Sequence, residues 1–186
     1  MKRNLIFIGM PAVGKSTVGI VVAKRLGMRF VDTDLLIQER EGKLLREIIA
    51  EKGEEGFLEI ENEVSASVNA KNSVISPGGS VIYCKEAMKH YKKIGTIVYL
   101  KASYQTIKRR IKNPKKRGVV LKEGQSLRDL YYERVPYFEK YADITVCEDG
   151  CRIEDTIKNV LNAVKKYRKT TEFRKKLDNV PKSKLK

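Results

Sequence analysis

The stretch that most restricts what this chain can become lies at its start. Leu5-Ile6-Phe7-Ile8 is a short apolar strand, Gly9-Met10-Pro11-Ala12-Val13-Gly14-Lys15-Ser16-Thr17 is a glycine-bounded loop, and Val18, Val21, Val22 and Leu26 then follow at helical spacing. Strand, loop and helix together fit G-x-x-x-x-G-K-[ST] in the setting that motif requires. Gly9 and Gly14 permit backbone angles that side chains resist, so successive N–H groups can turn inward and cradle phosphate oxygens at a helix N-terminus. Lys15 is placed to reach the β- and γ-phosphates and the Ser16 hydroxyl to ligate Mg²⁺. The cofactor expectation is ATP with Mg²⁺, held by Gly9 and by Ala12, Val13, Gly14, Lys15, Ser16 and Thr17. The full pattern in this setting favours that reading over a glycine turn that binds nothing.

At 186 residues the chain is long enough for one α/β domain and short for two. It has no opening apolar run of the signal-peptide kind and no stretch near the roughly 18 apolar residues a membrane span needs, so a cytoplasmic protein without a membrane partner is expected. Cys84, Cys147 and Cys151 form no C-x-x-C pair and have only His90 beside them in the inventory, which supports neither a zinc site nor a disulfide framework. The net charge of +16 invites a nucleic-acid reading, but ten Lys/Arg against two Asp/Glu between Lys165 and Lys186 carry half of it. This polar stretch with Pro181 reads as a basic, disordered tail over 168–186, nucleic-acid contact being confined to it, beside a kinase domain over 1–167.

Along the chain, Met28-Arg29-Phe30-Val31 reads as a strand ending at Asp32-Thr33-Asp34, where open parallel sheets place their ligands. In an extended stretch residues i and i+2 point the same way, so Asp32 is assigned to the Mg²⁺ shell and Asp34 to the acceptor hydroxyl; the competing role for either is a helix cap. Helices are expected from Leu44 to Glu51 and from Glu54 to about Ala70, with Phe57, Ile60, Val64 and Val68 as core. The strand Asn72–Ser76 runs into Pro77-Gly78-Gly79-Ser80, where glycines allow close backbone approach and form a wall of the acceptor pocket. Thr96–Leu100 is a near-continuous apolar strand of the parallel-sheet kind. The cationic, turn-rich stretch at about 112–124 reads as a lid, with Arg117 the cation that closes over the transferring phosphoryl group. Leu127–Tyr141 is a helix interrupted near Pro136 and carrying Arg134, Asp143–Val146 is a fifth strand, and Ile153–Tyr167 is an amphipathic closing helix. Strands alternating with helices throughout predict a three-layer α/β/α fold on a mostly parallel sheet.

The phosphate loop, the Asp-Thr-Asp pair, the Gly-Gly loop, the cationic lid and Glu133-Arg134-x-Pro136-Tyr137, in that order, resemble the shikimate kinase family over about residues 3–165. That resemblance implies a five-stranded sheet ordered 2-3-1-4-5, phosphorylation of the shikimate 3-hydroxyl by Mg-ATP, and a small-molecule substrate taken by a monomer. It makes Lys15, Asp34 and Arg117 catalytic, Ser16 and Asp32 metal-associated, and Gly78, Gly79 and Arg134 the lining of the acid-binding pocket.

Three positions depart from the family pattern. The family's Phe-Arg-x-x-Glu is Phe57-Leu58-Glu59-Ile60-Glu61 here, its Gly-Gly-Gly loop ends in Ser80, and a glycine usual in the phosphate loop is Ala12. A charge-assisted hydrogen bond is worth roughly 1.5–3 kcal/mol, so a lost arginine fork weakens a carboxylate ligand on the order of 10- to 100-fold. Leu58, Glu61 and Ser80 thus join the substrate-binding residues as the ones that decide the acceptor. Two alternatives follow: a kinase of this fold with an amino- or hydroxyl-bearing acceptor, and a non-catalytic, ATP-binding regulatory protein.

Overall fold

The computed structural model describes residues 4–111, 119, 121, 122 and 124–178, the last seven of these by their backbone alone. β1 (Asn4–Ile8) is followed by α1 (Lys15–Leu26), β2 (Arg29–Asp32), α2 (Thr33–Glu41) and α3 (Leu45–Ser67). β3 (Ser73–Ser76), a 3₁₀ turn (Val81–Tyr83), α4 (Lys85–Ile94), β4 (Gly95–Lys101) and α5 (Tyr104–Arg110) come next, then α6 (Leu127–Tyr141), β5 (Ile144–Cys147) and α7 (Ile153–Asp178). The five strands form one sheet in the order β2-β3-β1-β4-β5, and every neighbouring pair is parallel.

The strand pattern explains the layering. Every residue of β1 and β3 is buried, as are six of the seven in β4, so both faces of the sheet centre need a cover, which helices supply in parallel sheets. Leu5, Ile6, Phe7 and Ile8 pack with Val74, Ile75, Ile97, Val98 and Leu100 into the main core, and α1 and α7 add Val18, Val22, Val160 and Val164. A smaller core under α2 and α3 holds Ile37, Ile48, Phe57, Ile60 and Val64.

Two local features differ from expectation and a third agrees with it. Pro136 sits inside α6 without ending it; proline there forfeits one intrahelical hydrogen bond, while buried Tyr131, Arg134 and Phe138 tie the helix down on both sides. The long segment over 45–67 is two helical runs meeting at Gly53, whose φ of 71° is left-handed, so the break expected there is present as a kink. The basic tail is helical as far as Asp178, where disorder was expected from residue 168. Charge alone does not end a helix: no Gly or Pro occurs between Ile153 and Asp178, and the Thr170 and Thr171 hydroxyls bond back to the Lys166 and Tyr167 carbonyls.

Candidate active site

The phosphate loop leaves the carboxyl end of the central strand and enters α1 at Gly14, whose φ of 108° only glycine adopts readily. No side chain caps α1 and its first turn holds no acidic residue, so its leading N–H groups and the positive end of its dipole are free for an anion. A Cβ on Gly9 would lie 2.6 Å from the Leu100 carbonyl oxygen, which is why a glycine must stand where the loop crosses β4. Ala12 takes a left-handed φ of 60°, a conformation costing an L residue roughly 1–2 kcal/mol. The loop accepts that strain and keeps the fold of its backbone. Lys15 is buried and folds back over the loop, Nζ donating to the Gly9 and Met10 carbonyls at 3.1 and 3.3 Å. Burial lowers its pKa first and the Asp34 charge opposes this.

Asp32 and Asp34 do converge on this loop, though not by strand alternation. Asp32 ends β2 and caps α2: its Oδ1 accepts the Asp34 N–H at 3.1 Å while Oδ2 accepts the Ser16 hydroxyl at 2.7 Å. Asp34 lies in the first helical turn, and the cap turns its carboxyl inward. Helix geometry, not extended geometry, thus brings the pair together, and Asp32 serves as cap and as Ser16 partner at once. Ser16 also lies 3.3 Å from the Ser76 hydroxyl. A hydroxyl beside a carboxylate at the loop's mouth is a donor set that suits Mg²⁺. Burial, then the Asp32 charge, holds the Asp34 carboxyl up to about 6, with Lys15 opposing.

A cleft of about 310 Å³ opens between the phosphate loop and the Pro77–Ser80 loop, with Lys15, Ser16, Asp34, Gly78, Gly79, Ser80 and Arg134 in its wall and Leu45, Phe57 and Val119 as its apolar side. Both glycines are required by proximity: a Cβ on Gly78 would overlap Glu61 Oε1 and sit 3.0 Å from Asp34 Oδ1, and one on Gly79 would press on Pro11 at 2.9 Å and Arg134 at 3.2 Å. Arg134 is 1% exposed and its Nε has no hydrogen-bond partner among the described residues.

Glu61 is fully buried behind Gly78. Ser80 donates to its Oε2 at 2.6 Å, and Oε1 has no partner among the described residues. Burial pushes its carboxyl up to about 7, against the pull of the Ser80 hydrogen bond and the Arg134 and Lys15 charges. Leu58 is absent from the cleft wall; it packs against the main core, and its carbonyl accepts from the Cys84 thiol at 3.6 Å. One turn from Glu61 on α3, it brings an aliphatic chain and no charge. Ser80 is therefore the side chain that hydrogen-bonds Glu61 among the described residues.

Arg117 falls outside the described residues, as do most of residues 112–124; Val119 from that stretch borders the cleft. The sequence reading missed Arg110. Its Nη1 donates to the Val13 carbonyl at 2.8 Å and to Glu148 Oε2 at 2.9 Å, beside a second cleft of about 190 Å³ that continues from Gly14 and Thr17 to Ile153 and Thr156. Only the position of Arg110 at the end of a helix, just before the cationic stretch, hinted at it. No motif joins residues so far apart in the chain.

Comparison with known proteins agrees with this geometry. The shikimate kinase family profile matches residues 11–165. The chain is 32% identical over 164 residues to the shikimate kinase of Persephonella marina, covering 88% of this chain and 99% of that one. It is 36% identical over 168 residues to human threonine synthase-like 1, covering 89% of this chain and 23% of that longer protein. The structure of Acinetobacter baumannii shikimate kinase in complex with shikimate superposes with a TM-score of 0.74 at 26% identity, covering 87% of this chain and 92% of that one. With its phosphate loop, sheet order and cleft in agreement, the chain belongs to the shikimate kinase family of ATP-dependent small-molecule kinases.

Proposed function

We propose that this protein transfers the γ-phosphoryl group of Mg-ATP to the 3-hydroxyl of shikimate, as a cytoplasmic monomer. The observation that carries the reading is one cleft with an anion-binding loop on one wall and Asp34 and Arg134 on the other. The N–H groups of α1's first turn and Lys15 hold the triphosphate; the second cleft beside Arg110 takes the nucleoside end. Ser16 and Asp32 would hold Mg²⁺, which when bound neutralises charge on the β- and γ-oxygens. Arg134 grips the acceptor's carboxylate, and Asp34 orients the hydroxyl and accepts its proton. Phosphoryl transfer asks mainly for positioning and charge stabilisation, and these residues supply both. Arg117 keeps its role over the transferring group on its place in the sequence alone.

The name of the A. baumannii complex supports shikimate as acceptor, and one buried guanidinium in the cleft gives its acid a partner. The family match disfavours a non-catalytic ATP-binding role, which has no need of a second pocket. A coupled ADP-release assay with shikimate, other polyhydroxylated acids and hydroxy-amino acids tests the reading. ADP release dependent on shikimate is expected; ATP binding with no acceptor-dependent release would overturn it.

A further inference from the structure

Arg134 is a buried cation that forms no ion pair among the described residues. Its guanidinium carbon lies 5.4 Å from the centroid of the Tyr83 ring, within cation–π distance. Glu133, its neighbour in sequence, is committed elsewhere: Oε1 accepts the Tyr83 hydroxyl at 2.6 Å and Oε2 accepts from Gln125 at 2.7 Å, with Lys122 3.5 Å away. Tyr83 therefore touches both members of the Glu133-Arg134 pair: its hydroxyl donates to the carboxylate and also feels the guanidinium, whose carbon faces its ring. Buried Val81 and Ile82 anchor the 3₁₀ turn that presents it, and Tyr137 packs edge-on against it at 5.6 Å.

We propose that Tyr83 is a positioning residue for Arg134, its ring holding the guanidinium in place so that N–H donors face the carboxylate of the acceptor. A carboxylate partner would occupy the guanidinium fork and cancel its charge. A ring face offsets part of the desolvation through its quadrupole without forming an ion pair. This inference rests on the reading that Arg134 receives the acceptor's acid.

Shikimate binding by calorimetry without ATP, together with steady-state kinetics, tests it on Tyr83→Leu and Tyr83→Phe. Loss of the ring should weaken shikimate binding and raise its KM on the order of 10- to 30-fold, with the KM for ATP unchanged. Tyr83→Phe keeps the ring and should stay within about 3-fold of wild type. Should Tyr83→Leu not melt cooperatively, Tyr83→Met carries the same expectations. Wild-type shikimate affinity in the ring-less variant overturns the inference, as does a Tyr83→Phe variant equally impaired. A wild type that binds no shikimate overturns the proposed function and this inference with it; a wild type that binds it beside a Tyr83→Leu that binds equally well overturns the inference alone.

Discussion

Replacing Glu61 by glutamine should remove a large part of the pH dependence of this protein's stability. The Glu61 carboxyl titrates near 4.5 in an unfolded chain and is pushed up to about 7 in the fold by burial behind Gly78. The folded state therefore binds this proton more tightly than the unfolded one. At about 1.36 kcal/mol per pH decade the difference approaches ~3 kcal/mol. The sign follows from the direction: the stabilisation is fully present below pH 4.5 and is lost as pH rises through 7. Asp34, held up to about 6 from 3.8, acts in the same direction, so wild type should lose stability between pH 5 and pH 8 through both groups. Glutamine carries no titrating proton and can still accept the Ser80 hydroxyl. Urea denaturation at the two pH values should show the variant losing less stability than wild type, by up to ~3 kcal/mol. Parallel curves for the two proteins would refute the reasoning, because they would mean that Glu61 is ionised in the fold. Leu58→Arg is the companion variant: a guanidinium one turn away should favour the ionised carboxylate and flatten the same curve.

Lys15→Ala should lower turnover on the order of 10³-fold while leaving the thermal midpoint near that of wild type, since the ammonium bonds only loop carbonyls; circular dichroism melting beside the ADP-release assay checks both. The acidic limb of kcat/KM should fall below about pH 6, where Asp34 gains its proton, and should be absent from the residual activity of Asp34→Asn, as a pH–rate profile would show. Gly78→Ala forces a methyl onto the buried Glu61 carboxyl and should cost about 1–3 kcal/mol of stability, measured by urea denaturation.

The phosphate loop was legible because its chemistry is local: glycines, lysine and hydroxyl must follow one another between a strand and a helix, and neighbours in sequence stay neighbours in space. The parallel sheet was legible for a similar reason, since strands covered on both faces read as apolar runs such as Leu5–Ile8 and Ile97–Leu100. The sequence alone also singled out Asp32, Asp34, Gly78, Gly79 and Arg134, through motif order. The way these residues meet was decided only in three dimensions. Asp32 and Asp34 share a site because one caps the helix that begins with the other, which strand alternation could not anticipate. Arg110 reaches the Val13 carbonyl from 97 positions along the chain, and Ser80 became the partner of Glu61. Tyr83 came to lie under Arg134. Such contacts link residues separated by tens of positions, so no periodicity records them; they exist because parallel strands deliver distant loops to one edge of the sheet.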